Sequence, residues 1–141
     1  MYDTLIKTIL IETILTILLV RNVSMLRKAT VLHRDVTAGK TDKVRVHITR
    51  TRPCGGRGIM ARGVYDIDGE KVMCSMICAC SMLELRRGDD KYVIIGKSDG
   101  SVFALDEAQS RDAVMTWWVF TVLAGLGVLF MAVGIVFKVL R

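Results

Sequence analysis

The chain has 141 residues, of which 52% are hydrophobic and 24% are charged, and its mean hydropathy is +0.42. That value is high for a soluble domain of this length, and two apolar stretches, one near each end, account for it. The formal net charge is +6, and the single proline excludes a long proline-rich disordered linker. The residues between the apolar stretches, about 85 of them, suffice for one small folded domain.

The first apolar stretch runs from Leu5 to Val20 and contains Lys7 and Glu12. It is short for a membrane span, but with its flanking residues it is long enough, so we predict an N-terminal transmembrane helix over residues 1–26. The stretch has neither the basic start nor the small-residue cleavage site of a secretory signal peptide. The alternative is an interfacial amphipathic helix that does not cross the bilayer.

Polar residues recur at every fourth position in this stretch, which places Thr8, Glu12 and Thr16 on one helical face. A carboxylate in the middle of a bilayer costs about 2.5–3.5 kcal/mol on insertion scales, so we expect Glu12 to face protein. The expected neighbour is the C-terminal helix, with the threonines hydrogen-bonding across the interface. Alternatively, Glu12 lines a path for ions or protons.

Basic residues are concentrated after the first stretch, and the nearest to it are Arg21, Arg27, Lys28 and Arg34. Positive residues beside a span are typical of its cytoplasmic side, so we expect the domain that follows to face the cytoplasm. The same residues are suited to contact anionic lipid headgroups or a partner protein. Aromatic residues that stack on bases do not accompany them, so no nucleic-acid binding is expected.

Hydrophobic residues then alternate with polar ones, which predicts an antiparallel β-domain over residues 27–109. Turn sequences at Asp68-Gly69, Arg87–Asp90 and Ser98–Gly100 separate the apolar runs. The expected strands are 43–50, 59–66, 70–85, 91–96 and 101–105, with 29–36 as a further candidate. Five or six short strands at this spacing predict a small barrel or sandwich.

Four cysteines lie in this domain: Cys54 in a glycine-rich loop, and Cys74, Cys78 and Cys80 in the predicted strand 70–85. On one straight strand the last three share a face, and their spacing does not converge the sulfurs as a zinc knuckle does. We therefore expect buried, reduced thiols, which agree with a cytoplasmic location. A metal or redox site formed by these four cysteines is the alternative.

The remaining polar residues give no indication of catalysis. His33 and His47 are expected to be solvated surface residues, and the carboxylates of Asp66–Asp68 and Asp89–Asp90 to belong to turns. The sequence contains none of the glycine-rich phosphate-binding motifs or hydrolase motifs that carry a mechanism. No catalytic residue, resident metal or cofactor is therefore expected.

The last apolar stretch carries no charge for 25 residues, from Ala113 to Phe137. As a helix it is about 37 Å long, which exceeds the ~30 Å hydrocarbon thickness of a bilayer. We predict a C-terminal transmembrane helix over residues 110–141. The small residues expected to pack against the first helix are Ala124, Gly127 and Gly134.

Two motifs, GVYDIDGEKV at residues 63–72 and GDDKYVIIGKSDG at residues 88–100, precede the last apolar stretch. In this order they resemble the bacterial membrane proteins of the family named domain of unknown function 3592. The resemblance extends from about Lys28 to Leu140 and implies two spans around a compact β-domain. It implies no activity and assigns no site residue.

These features predict a two-span protein of the bacterial inner membrane, with both termini on the side opposite the β-domain. The expected function is that of a non-catalytic interaction or scaffold module, whose partners are the lipid bilayer and another protein or a second copy of itself. One alternative is a cysteine-based metal or redox sensor. A second alternative is a small oligomeric channel or transporter accessory that uses Glu12.

Overall fold

The computed structural model describes residues 2–54, 58–78 and 85–141. The chain divides into two compact units, one of Met1–Leu26 with Thr116–Arg141 and the other of Arg27–Met115. The elements in chain order are α1 (Tyr2–Thr37), β1 (Thr41–Cys54), β2 (Gly58–Ile67), β3 (Glu70–Met76), β4 (Asp90–Gly96), β5 (Val102–Ala104) and α2 (Glu107–Val139). The prediction of two long apolar helices that flank a small β-domain is confirmed.

Both helices are long and apolar enough to cross a membrane, judged by length and composition alone. Helix α1 has 36 residues and α2 has 33. The most apolar stretch of each is not buried inside the protein. Such unburied apolar surface is suited to contact with lipid.

Residues 29–36, a candidate strand in the sequence, belong instead to helix α1. Ala29, Leu32 and Asp35 are buried at intervals of three residues, which is a helical rather than a strand period. The helix ends at Thr37, and Gly39 adopts a φ of 71° in the turn before β1. The strand prediction for this segment was therefore wrong.

The five strands pair in the order β1-β2-β3-β5-β4, and β4 pairs in turn with β1, so the sheet closes on itself. Four pairings are antiparallel, and β3 and β5 are parallel. A ring with an odd number of strands cannot alternate direction throughout, so one pairing must be parallel. The sheet is mixed, and the prediction of a wholly antiparallel sheet was wrong.

The predicted strand over residues 70–85 is shorter in the structure, because β3 ends at Met76. Part of the prediction, residues 79–84, lies outside the described residues. The hairpin turn before β3 was predicted correctly. Asp68 and Gly69 have φ values of 51° and 82°, and positive φ at both central residues is the signature of a type I′ turn.

The core of the β-domain lies inside the closed sheet, where Val46, Met76 and Phe103 are completely buried. Tyr65 reaches into this core, and its hydroxyl donates a hydrogen bond to the carbonyl of Gly100 at 2.9 Å. A Cβ at Gly100 would collide with that hydroxyl, so a larger residue there would displace Tyr65 from this bond. The bond joins β2 to the turn before β5.

Candidate binding surface

The outer face of β1 is basic. Buried Val46 and Ile48 alternate with exposed Arg45 and His47, because successive side chains of a strand point to opposite faces. Arg50 and Arg52 continue the exposed series towards the end of the strand. We define the basic face as five residues: Arg45, His47, Arg50 and Arg52 of β1, and Arg62 of β2.

One end of the basic face is partly neutralised by an aspartate of β4. Asp90 accepts a hydrogen bond from Arg45 at 2.8 Å, and its other carboxylate oxygen lies 2.8 Å from Nδ1 of His47. The bond with His47, followed by the charge of Arg45, lowers the pKa of Asp90 below its usual value. His47 is exposed, as the sequence predicts, but it also belongs to this cluster.

The other end of the basic face has no such acidic partner among the described residues. The register between β1 and β2 shifts between Ile48 and Arg50, and beyond this bulge Arg50 lies directly opposite Arg62. Like charges that face each other across a strand pair are destabilising. Within the described part of the chain, neither these two arginines nor Arg52 forms an ion pair. The excess positive charge is therefore available to a ligand.

Gly63 fixes the register beside these arginines. A Cβ at Gly63 would collide with the side chain of Val46 and lie 2.6 Å from the carbonyl oxygen of His47. Only glycine allows β1 and β2 to approach this closely. The close approach lies next to the bulge and holds Arg62 in its place across from Arg50.

Two exposed side chains of other types border the basic face. Tyr92 of β4 lies opposite Arg45 and is 71% exposed. Met73 of β3 lies opposite Val64, a neighbour of His47 across the strands, and is 75% exposed. Tyrosine, methionine and arginine are enriched in protein–protein interfaces. The composition of this surface is therefore that of a binding site for protein.

The basic residues predicted to bind headgroups or a partner all lie on α1. Arg21, Arg27 and Arg34 are exposed, and Lys28 is half-buried. Residues seven apart share a helical face, so Arg21 and Lys28 form one pair and Arg27 and Arg34 another. These residues form two stripes on the helix rather than one patch.

The structure separates the cysteines. Cys54 ends β1 and is half-buried, whereas Cys74 is buried on β3 and donates to the carbonyl of Gly63 at 3.5 Å. Burial raises the pKa of the Cys74 thiol to about 11. Cys78 follows the end of β3, so the predicted row on one strand was wrong, and Cys80 lies outside the described residues.

The described thiols of the β-domain are not arranged as the ligands of a metal ion. Cys54, Cys74 and Cys78 are free thiols. In residues 2–54, 58–78 and 85–141, no three histidine, cysteine or acidic side chains converge on a point that could hold a metal ion. The described geometry therefore adds nothing in favour of the metal-sensor alternative.

The polar residues of α1 do not bridge the helices as the sequence predicts. Thr8 and Thr16 donate their hydroxyls to Thr4 and Glu12 carbonyls of their own helix, at 2.8 and 2.9 Å. Thr16 is exposed, because the less exposed positions follow a repeat of three and four rather than four alone. Glu12 is half-buried, and its Oε2 is enclosed with no hydrogen-bond partner among the described residues.

Of the three small residues expected at the helix interface, Gly127 lies against α1. Ala124 is half-buried, and a Cβ at Gly127 would lie 3.9 Å from Leu15. Gly134 is exposed, and no described atom lies within 4 Å of its Cβ position, so its assignment to the interface was wrong. The sequence analysis missed Asn22, whose amide donates to the carbonyl of Phe120 at 3.4 Å.

The basic face itself was also missed. A signal was present, since pairing β1 with β2 in register from Cys54 opposite Gly58 places Arg50 opposite Arg62. Chemically, the face offers planar guanidinium groups that bind carboxylates in a bidentate manner. Comparison of the chain with protein-family models, with curated proteins and with solved structures finds no match.

Proposed function

We propose that this chain is a non-catalytic, membrane-anchored interaction module whose basic face binds an acidic segment of a partner protein. The observation that carries the proposal is the pair of arginines, Arg50 and Arg62, that face each other across two strands with Arg52 beside them. None of the three forms an ion pair within the described residues. A partner carboxylate bound between them relieves their mutual repulsion.

The surroundings of the arginines favour a protein partner. Tyr92 and Met73 supply exposed apolar surface at the borders of the face, and such residues act as anchors in interfaces. Charge complementarity of this kind accelerates encounter and selects among partners. The closed sheet offers few unpaired strand edges, so the proposed contact uses side chains of the outer face rather than an added strand.

The helices support the anchoring part of the proposal. Two apolar helices of sufficient length suit a two-span protein of the bacterial inner membrane. The basic stripes of α1, which contain Arg21, Arg27, Lys28 and Arg34, favour a cytoplasmic β-domain by the positive-inside rule. The same stripes provide contacts for anionic headgroups.

The proposal is tested by peptide binding to the full chain in nanodiscs of zwitterionic lipid. Fluorescence anisotropy of a labelled glutamate-rich peptide measures affinity. The variant Arg50→Glu/Arg62→Glu is expected to bind at least about tenfold more weakly. The charge-matched control Lys40→Glu/Lys97→Glu alters exposed lysines of the same domain. Equal affinity of the two variants would overturn the proposal.

A second candidate function is that of a small oligomeric channel or transporter accessory. The observation that favours it is Glu12, whose Oε2 is enclosed in the helix unit with no partner among the residues described. Ionisable groups inside a membrane commonly mark a path for ions. Ion flux into liposomes tests it, since a Glu12→Gln variant with unchanged flux removes this candidate.

A further inference from the structure

Strand β2 and the turn that follows it carry opposite charges at their two ends. Arg62 lies in the first half of the strand, whereas Asp66, Asp68 and Glu70 surround the turn to β3. These three acidic residues, which we name the acidic hairpin, are all exposed. No ion pair joins them to any described residue. Lys71, opposite Asp66, is the basic neighbour of the group.

The two charged ends cannot neutralise each other within one chain. Arg62 and Asp66 share the outer face of β2, but four residues of strand separate them by about 13 Å. An ion pair requires a nitrogen and an oxygen within about 4 Å. The type I′ turn also makes the acidic hairpin narrow, and Ile67 at its base is 47% exposed. Each end is therefore available to a second molecule.

We propose that the acidic hairpin of one copy of this chain binds the basic face of a second copy, at Arg50, Arg52 and Arg62. This inference rests on the proposed function, because it identifies the acidic partner as the chain itself. Each copy presents one hairpin and one basic face, so two copies that exchange both contacts form a closed two-fold dimer. Copies that share only one contact with each neighbour join head to tail, in a ring or an open row.

The strength of the contact depends on the bilayer. Exposed ion pairs contribute little individually, so a few of them give weak association in dilute solution. Anchoring in one bilayer raises the effective concentration of each copy near the next. The association is therefore to be measured with the full chain in lipid vesicles rather than in detergent.

Energy transfer between donor- and acceptor-labelled full chains in zwitterionic vesicles tests the proposal. Arg50→Glu/Arg62→Glu makes both surfaces of a copy acidic, and Asp66→Lys/Asp68→Lys makes both basic. Each variant alone is expected to lose transfer, with an association constant lower by about tenfold or more. A mixture of the two variants is expected to restore transfer, because each then meets a surface of opposite charge. The control Lys40→Glu/Lys97→Glu is expected to behave as the unmodified chain.

Restoration in the mixture is a readout that misfolding of either variant does not produce. Absence of transfer in the unmodified chain, or transfer that survives in both separate variants, would overturn the inference. Failure of restoration would overturn it as well. If the unmodified chain binds the glutamate-rich peptide but shows no energy transfer, self-association is rejected and the proposed function is retained. Peptide binding that is independent of the arginines rejects the proposed function.

Discussion

The carboxylate of Asp35 accepts two hydrogen bonds from Ser98, one from its backbone N–H at 3.0 Å and one from its hydroxyl at 2.9 Å. Asp35 lies in the last turns of α1 and is 3% exposed, and Ser98 lies in the turn after β4. Gly96 makes room for this carboxylate, since a Cβ there would lie 2.6 Å from its Oδ2. The contact fastens residues at the end of α1 to the sheet of the same unit.

Replacement of Asp35 by alanine is expected to destabilise the β-domain by about 1–3 kcal/mol, because the buried carboxylate accepts two part-buried hydrogen bonds from Ser98 and both are lost. Asp35→Asn keeps one acceptor oxygen, so a smaller loss is expected. Asp42→Ala, at an exposed position, serves as the control. Urea unfolding of the full chain, followed by circular dichroism, measures the differences. An unchanged midpoint for Asp35→Ala would contradict this role.

Replacement of Gly63 by alanine is expected to lower the free energy of unfolding by about 1–3 kcal/mol, since overpacking where the two backbones approach closely forces the strands apart. The added Cβ meets both the Val46 side chain and the His47 carbonyl. The double variant Val46→Ala/Gly63→Ala removes only the first of these collisions, so it is not expected to recover the strand spacing. The same unfolding measurement applies, and a neutral Gly63→Ala variant would refute the argument.

The Cys74 thiol is expected to resist alkylation in the folded chain. With a pKa of about 11, about one thiol in a thousand is ionised at pH 8. Mass spectrometry after iodoacetamide treatment is expected to show modification of half-buried Cys54 first, and of Cys74 only in denaturant. Fast modification of native Cys74 would contradict the burial.

The same shift predicts a pH dependence of stability. In the unfolded chain the thiol of Cys74 has its ordinary pKa of 9.0, whereas burial in the folded chain raises this pKa to about 11. The folded state therefore binds more protons between these values, and stability is expected to fall as the pH rises through this window. Cys74→Ala is expected to reduce the fall, which urea unfolding at several pH values measures.

Cys54 offers a test of sidedness. A cytoplasmic β-domain predicts that a membrane-impermeant maleimide labels Cys54 only after the cells are permeabilised. Variants that replace the other three cysteines by alanine keep the assignment of the signal unambiguous. Labelling of Cys54 in intact cells would place the domain outside and reject the cytoplasmic part of the proposal.

Substitutions in α2 are expected to separate Gly127 from Gly134. The added Cβ of Gly127→Ala makes ordinary van der Waals contact with Leu15. Alanine also stabilises a helix by about 0.8–1.0 kcal/mol relative to glycine. The melting temperature of this variant is therefore expected to equal or exceed that of the unmodified chain. Gly127→Leu is expected to lower it by forcing the helices apart, whereas Gly134→Leu is expected to be accepted. Thermal unfolding in detergent compares them. Equal losses for both leucine variants would contradict the observed packing.

Local patterns were sufficient to predict most of the strands. The alternation of Val44, Val46 and Ile48 predicts β1, because one face of the strand is buried and the other is not. The dipeptide Asp68-Gly69 predicts its turn, because both residues accept positive φ. Residues 29–36 were a further candidate strand, but they extend an existing helix, and extension requires no new nucleation. Tertiary burial of Ala29 and Leu32 then fixes the helical state.

Long-range pairing was the part that sequence patterns did not supply. The register shift between Ile48 and Arg50 puts Arg45 and His47 on the same face as Arg50 and Arg52, and a bulge leaves no local pattern in the sequence. The residues of α1 that face the other helix were also misjudged. A spacing of four residues drifts around the helix, so Thr16 is exposed although the Oε2 atom of Glu12 is enclosed. Both errors concern which residues from different elements lie next to each other in the fold.

The position of β5 constrains how a nascent chain acquires its shape. Val102–Ala104 is a short, wholly buried strand inserted between β3 and β4, which precede it in the sequence. Until the ribosome has supplied these three residues, β3 and β4 each lack one neighbour, and their open sides are exposed to other chains. A chain that ends before Val102 is therefore expected to aggregate more readily than the full chain.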